Sequence, residues 1–411
     1  MLFLFSRTMK PFFILFIFLQ LSLCSAAQNE DINSLYRQLD NAVTNSATFV
    51  KQRERRINVL KLSLQNAKNT ESAYRFNLCL FQEYRSFVND SALAYIKKCI
   101  AISHAMGNKS LEDYCTTLMA YQLTTGGMYF EASELLNKVN KYILGKKKIG
   151  IYYKTKNYLF NELGYHSNIP DMQKQYYRQA SLYCDSIRCQ LGTHSKEYLE
   201  AKERELIYSH QYAEALLVNN QFLSMIKPLS HEYAIAAYYR QLIYEHMGDM
   251  ESMKYWLAKS AICDVRNAIM DQASLWTLAR QLDKEGDIDR SYRYINYAWN
   301  AVNFFGTRIR NWQISPIVHY INKDYQKVIR SKNRMLFAFT ITVSLMSVLL
   351  LLLLYYVNKQ RKHLMMARNT LKETNNSLEQ LNSQLFETNR NLDATNGKLS
   401  ETNHKLYESN Q

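Results

Sequence analysis

Gly248-Asp249-Met250-Glu251-Ser252-Met253-Lys254-Tyr255 and Gly286-Asp287-Ile288-Asp289-Arg290-Ser291-Tyr292 are two copies of one pattern, 38 residues apart. A Gly-Asp turn signal comes first, an acidic residue follows within two positions, and an aromatic-rich helix comes next. Working outward, further breaks fall at Asn89-Asp90, Gly126-Gly127, Asn168-Ile169-Pro170 and His210-Gln211, at intervals of about 37–43 residues. Similar helices follow two of these breaks, at Ser91-Ala92-Leu93-Ala94-Tyr95 and Tyr129-Phe130-Glu131-Ala132-Ser133. Between breaks, apolar residues recur at steps of three and four, as in Leu93, Ile96 and Ile100 or Trp256, Leu257 and Ala261. That spacing is the stripe of an amphipathic helix. Strand-type alternation is scarce, and only 4 prolines and 11 glycines interrupt 411 residues. A period of this size, with two helices per unit, predicts an α-solenoid in which each hairpin buries its apolar face on its neighbours.

These units resemble tetratricopeptide repeats with lengthened helices, over roughly residues 50–306; the Trp-x2-Leu-Gly-x2-Tyr opening is not found intact. The resemblance implies an all-α fold, a helical-hairpin (TPR-like) repeat domain placed at residues 28–330, with protein or peptide partners. The chain has 31 tyrosines, with adjacent pairs at Tyr152-Tyr153, Tyr176-Tyr177 and Tyr238-Tyr239. A tyrosine offers a large apolar ring and a polar tip, which suits a half-buried hairpin surface. On a helix, one member of a pair faces the neighbouring helix and the other points about 100° away. Packing is the plain expectation. The sharper one is that some tyrosines line a concave groove for peptide, protein or glycan.

The N-terminus predicts export. Arg7 and Lys10 precede an apolar stretch at 11–23, and Ser25-Ala26-Ala27 supplies small residues before a cut at Gln28, so residues 1–27 form a secretory signal. Met9 is an alternative start; an uncleaved anchor and a lipid site at Cys24 are rival assignments. Residues 335–357 carry no charge, and 23 residues at about 1.5 Å each span roughly 34 Å, enough to cross a bilayer. Lys332 and Arg334 flank one side and Lys359, Arg361 and Lys362 the other, so the signal sets the orientation. Residues 28–330 are then periplasmic and 358–411 cytoplasmic, in a single-pass protein of a bacterial inner membrane. The net charge is +15, but the tail and the signal region carry only +2 each. Most of the excess sits in the exported part, so direct nucleic-acid binding is not expected. Six cysteines outlast signal removal, at 79, 99, 115, 184, 189 and 263. Buried free thiols are the default expectation, and one or two disulfides the alternative; sequence does not choose among fifteen pairings.

The tail predicts a coiled coil. Leu364, Leu371, Leu378, Leu385, Leu392, Leu399 and Leu406 recur every seven residues. Four positions after six of them stand Asn375, Asn382, Asn389, Asn396, Asn403 and Asn410. With leucine at d, arginine (Arg368) and then asparagine occupy a. A single buried Asn fixes register at a cost in stability, so a whole column of them makes a weak seam. With leucine at a, Thr374, Leu381, Thr388, Thr395 and Thr402 fall at d, which is equally polar. The predicted interface is the seven leucines with Asn375, Asn382, Asn389, Asn396 and Asn403, in a homodimer held together by the membrane spans.

Chemistry is sparse. His231-Glu232 has Ile235 where a helical zinc site needs a second histidine, and His363 and His404 lack the surroundings of a phosphoacceptor. Glu203 and Glu205 read as solvated charge on different helical faces. No P-loop, dinucleotide fingerprint or Gly-x-Ser-x-Gly occurs. The expectation is a non-enzymatic transmembrane signal transducer without cofactor or metal. An exported repeat domain, one span and a Leu/Asn heptad linker resemble membrane-spanning regulators of Bacteroidota, whose linker leads to an output region typically ending in a helix-turn-helix; that region is not found by residue 411. The alternatives are an envelope scaffold, or a truncated sensor kinase or DNA-binding regulator missing its output domain.

Overall fold

The computed structural model describes residues 31–409. The signal assigned to residues 1–27, the alternative start at Met9, Cys24 and Asn410 lie outside the described residues. Two units are compact by themselves, one ending at Lys327 and one beginning at Val328.

The first unit is a run of antiparallel helical hairpins. Two helices come first, α1 (Ile32–Thr44) and, after the single residue Asn45, α2 (Ser46–Gln65); the hairpins then pair α3 (Thr70–Tyr84) with α4 (Asn89–Ala105) and α5 (Lys109–Thr125) with α6 (Tyr129–Lys138). The series continues with α7 (Lys146–His166) and α8 (Pro170–Leu191), then α9 (Lys196–Tyr208) and α10 (Tyr212–Met225). It closes with α11 (His231–Met247) and α12 (Met250–Arg266), then α13 (Ala273–Glu285) and α14 (Ile288–Phe305). The helix α15 (Arg308–Ser409) follows. No strand occurs among the described residues, so the all-α repeat fold expected from sequence is the fold observed.

The Gly-Asp signal has a direct physical meaning. Gly248 and Gly286 sit at φ +79° and +87°, the left-handed conformation that ends α11 and α13 and that glycine adopts without a Cβ penalty. Asp249 and Asp287 then accept from the backbone N–H of Ser252 and Arg290 at 3.0 and 3.2 Å, capping α12 and α14. All six breaks read from sequence fall inside hairpins. The breaks between hairpins are separate, and one of them, Gly107-Asn108, has the same chemistry: Gly107 at φ +65° and Asn108 capping Leu111 at 3.1 Å.

The ends of the array meet. Leu35, Tyr36, Leu39 and Ala42 of α1 share a core with Leu257 and Ala261 of α12, Leu278 of α13, Tyr294 and Val302 of α14 and Ile314 of α15. Asp40 joins them by polar contacts, accepting from Arg290 Nε at 3.1 Å and Tyr294 Oη at 2.9 Å. A second core puts Ile57, Phe81, Ile96 and Cys115 against Ala268, Met270 and Phe305. Buried Arg53 bridges the junction, donating to the carbonyls of Glu83, Asn267 and Ala268, each at 3.0 Å. The Met270 N–H donates to the Ser86 carbonyl at 2.9 Å.

The second unit is the remainder of α15. It holds a window of mean hydropathy 2.5 that is exposed throughout, so this helix is long and apolar enough to cross a membrane.

Candidate functional site

Closing the array turns the first helices of successive hairpins inward. The helices α5, α7, α9, α11 and α13, with the turn after α3 and the start of α15, line a cavity of about 240 Å³. Rings dominate its wall. Tyr121 of α5 stacks on Tyr158 of α7 with centroids 5.0 Å apart, and Tyr208, Tyr238, Tyr239 and Trp276 continue the surface. Of the tyrosine pairs picked out in the sequence, only Tyr238-Tyr239 lines the cavity with both members. Tyr152 instead packs in the core beside Leu136.

Charged side chains are set among these rings. The Arg204 guanidinium lies 5.2 Å from the ring centroids of both Tyr158 and Tyr239, a double cation–π contact. Its Nη2 pairs with Glu200, which also takes Lys154 Nζ at 2.5 Å. Arg204 is 3% exposed, and its Nε and Nη1 have no hydrogen-bond partner among the described residues. Burying such donors without partners is costly, so the cavity is supplied with unused hydrogen-bonding capacity. Arg310, from the first turn of α15, meets Asp271 with Nε at 3.0 Å and Nη2 at 3.1 Å, and donates from Nη1 to Gln313 at 2.9 Å.

Electrostatics keep the cavity near balance. Burial opposes the charge of Glu200, yet Lys154 and Arg204 hold its carboxyl below the usual range. Burial also opposes the charge of Arg310, but Asp271 beside it keeps the guanidinium pKa above its ordinary value. Burial pushes Glu162 up, and Arg310 and Arg204 only partly offset this. Asp264 is pushed up to about 6 by burial, with His231 Nδ1 at 3.7 Å pulling the other way. Three guanidiniums, those of Arg85, Arg204 and Arg310, thus face four carboxyls, those of Glu162, Glu200, Asp264 and Asp271. A wider opening of about 400 Å³ shares Arg85, Ser86, Tyr121, Glu200, His231 and Ile235 with the cavity and forms a mouth edged by Arg53, Lys154, Lys196 and Glu232. Among the described residues no cluster of three His, Cys, Asp or Glu side chains could hold a metal ion. The arrangement suits noncovalent binding of a polar molecule.

The residues singled out by sequence lie elsewhere. Leu364, Leu371, Leu378, Leu385, Leu392, Leu399 and Leu406 are 55–74% exposed along α15, and Asn375, Asn382, Asn389, Asn396 and Asn403 are exposed beside them. Glu203 corrects the sequence expectation. It is not solvated but fully buried, with Oε1 accepting from Asn219 Nδ2 at 2.5 Å. Cys79 and Cys189 depart from the expectation of buried thiols, since both are exposed. Arg204, Arg310, Asp271 and Glu162 were not visible as site residues, because folding rather than spacing brings them together. The Tyr238-Tyr239 pair was the one legible pointer.

Residues 43–316 match the family described as SusR N-terminal TPR domain, about two thirds of the chain. No curated protein matches it. A TPR domain points to protein–protein interaction as its mode of action. Because the match runs from the end of α1, through every later hairpin, to the first turns of α15, the chain belongs to the SusR N-terminal TPR domain family.

Proposed function

We propose that the chain is a single-pass membrane signal transducer. The repeat array, exported to the periplasm, takes a small polar ligand or a docking partner at its tyrosine-walled cavity. Residues 335–357 cross the inner membrane, and residues 358–411 pair with a second copy in the cytoplasm through the leucine and asparagine columns. It acts by binding rather than by catalysis, and the tail hands the change to a further protein partner.

One observation carries this assignment. Arg310 sits in the cavity wall, bonded to Asp271, and belongs to the same helix, Arg308–Ser409, that supplies the apolar segment. A ligand that competes for Asp271 or rearranges the rings acts on the first turn of that helix. Pro316, inside the helix, removes one backbone bond just beyond Arg310 and weakens the helix there.

The test is crosslinking in membranes. Leu378→Cys in the full chain reports tail pairing, and Arg310→Leu is then added. The crosslinked fraction is expected to change about threefold or more, the effect of shifting a two-state equilibrium by ~1 kcal/mol. Unchanged crosslinking, with Arg310→Leu still folded, removes the coupling. A reporter fused after Gln411 that is active only outside the cytoplasm removes the topology.

A further inference from the structure

Among the buried cysteines, two stand together. Cys99 on α4 and Cys115 on α5 are fully buried in the core shared by the first and last hairpins. They lie sixteen residues apart on consecutive helices joined by the tight Gly107-Asn108 turn, so they face each other across one helix–helix contact. In the structure both thiols are free, and each lies near enough to shift the titration of the other, Cys99 upward and Cys115 downward. Tyr74 brackets the pair: its hydroxyl is 3.4 Å from Cys115 Sγ, and its carbonyl is 3.9 Å from Cys99 Sγ. Cys79 on α3 is also near Cys99, but it is exposed rather than buried in this core. Cys184 and Cys189 share α8 five residues apart, which turns their side chains about 140° from each other. Cys184 packs with Ile187 and Ala201, away from the Cys99–Cys115 core.

We propose that Cys99 and Cys115 are joined by a disulfide in the exported protein, a modification that locks the second helix of one hairpin to the first helix of the next. This rests on export of the repeat domain, since such bonds persist in oxidising compartments. The oxidant is a protein disulfide of the thiol-oxidase class. One cysteine thiolate attacks a sulfur of that disulfide, giving a mixed disulfide and one oxidant thiolate. The second cysteine thiolate then attacks the linked cysteine sulfur and expels the other oxidant sulfur as thiolate. Two cysteine protons are released, and the two electrons leave on the oxidant's sulfurs. Both sulfurs are buried in the folded array, so exchange takes place before α4 and α5 close over them.

The experiment uses the full chain in its membrane. Cells are acid-quenched, the protein is denatured, free thiols are blocked, disulfides are reduced, and newly freed thiols are labelled and mapped by peptide mass spectrometry. Cys99 and Cys115 are expected to label together about tenfold more after reduction than before it, while Cys184 and Cys263 are blocked at the outset. Reduction is expected to lower the melting temperature of the repeat domain by about 5 °C, and the Cys99→Ser variant is expected to be insensitive to reductant. Free Cys99 and Cys115 in a protein whose repeat domain is protease-accessible from the periplasm overturn the proposal, as does a bridge from either one to Cys79. If the repeat domain is instead shielded in the cytoplasm, export fails by itself. The pairing is then decided on purified protein refolded with oxidised glutathione: a Cys99–Cys115 bridge supports it, and any other product overturns it.

Discussion

Glu203 places a carboxyl where no water reaches it, with Oε1 held by Asn219 and Oε2 unpartnered among the described residues. Burial pushes its pKa up to about 8, and the Asn219 bond and Arg204 offset this only in part. A carboxyl raised in the folded state binds its proton more tightly there than in the unfolded chain. Its stabilising contribution is therefore complete below about pH 4.5 and is lost as pH climbs to about 8. Glu203→Gln keeps an acceptor for Asn219 and removes the charge. The variant is expected to match the parent at pH 4.5 and to exceed it by roughly 3 kcal/mol at pH 8.5, read from denaturant or thermal melts of the solubilised chain. Equal stability at both values would show that Glu203 reaches solvent. Nothing in the stretch Lys202-Glu203-Arg204-Glu205 announces this burial. A charge on a helix is usually solvated, and the packing of α10 on α9, with Asn219 against its carboxyl, makes Glu203 an exception.

At the scale of elements, the hairpin turns show what sequence reveals and what it hides. Five of the six breaks inside hairpins are legible because glycine, proline and acidic residues end one helix and start the next with chemistry of their own. The breaks between hairpins lean on less regular residues, as at 225–231, where Leu229 takes a positive φ of 61°. His210 does the same at the turn before α10, where three other hairpins use Gly127, Gly248 and Gly286. Two glycines separate conformational need from packing need. Gly107 has φ +65° and open space around the position of a Cβ. Gly127 has φ +82°, and a Cβ there would stand 2.9 Å from the Cβ of Ile309 on α15. Gly107→Ala is expected to cost about 1 kcal/mol, the backbone penalty alone. Gly127→Ala is expected to cost about 2–4 kcal/mol, because Ile309 must give way and the first turn of α15 shifts with it. Thermal melts that rank the two equally would mean that α15 does not press on this turn.

At the scale of the whole molecule, the seven-residue period of the tail is written in the chain itself. The cavity is the least legible, because its wall is assembled from six or more separate helices. The leucine column is more than half exposed along α15, and in the dimer proposed above a second copy covers it. Its asparagine column argues for pairing that is weak enough to switch. With leucine at d, Asn382 and Asn389 sit at a, inside the seam, and isoleucine at a with leucine at d is the combination that favours two strands. Asn382→Ile with Asn389→Ile is expected to add about 2 kcal/mol per buried isoleucine, which is ample to turn a partly populated dimer into a nearly complete one. Disulfide crosslinking of Leu392→Cys in membranes would then approach completion and stop responding to Arg310→Leu, since a seam this strong no longer yields to the cavity. With leucine at a, the same two asparagines fall at e, outside the seam, and the yield would barely move. A tail that crosslinks poorly with and without the isoleucines would leave the leucine column with some occupant other than a second copy of this chain.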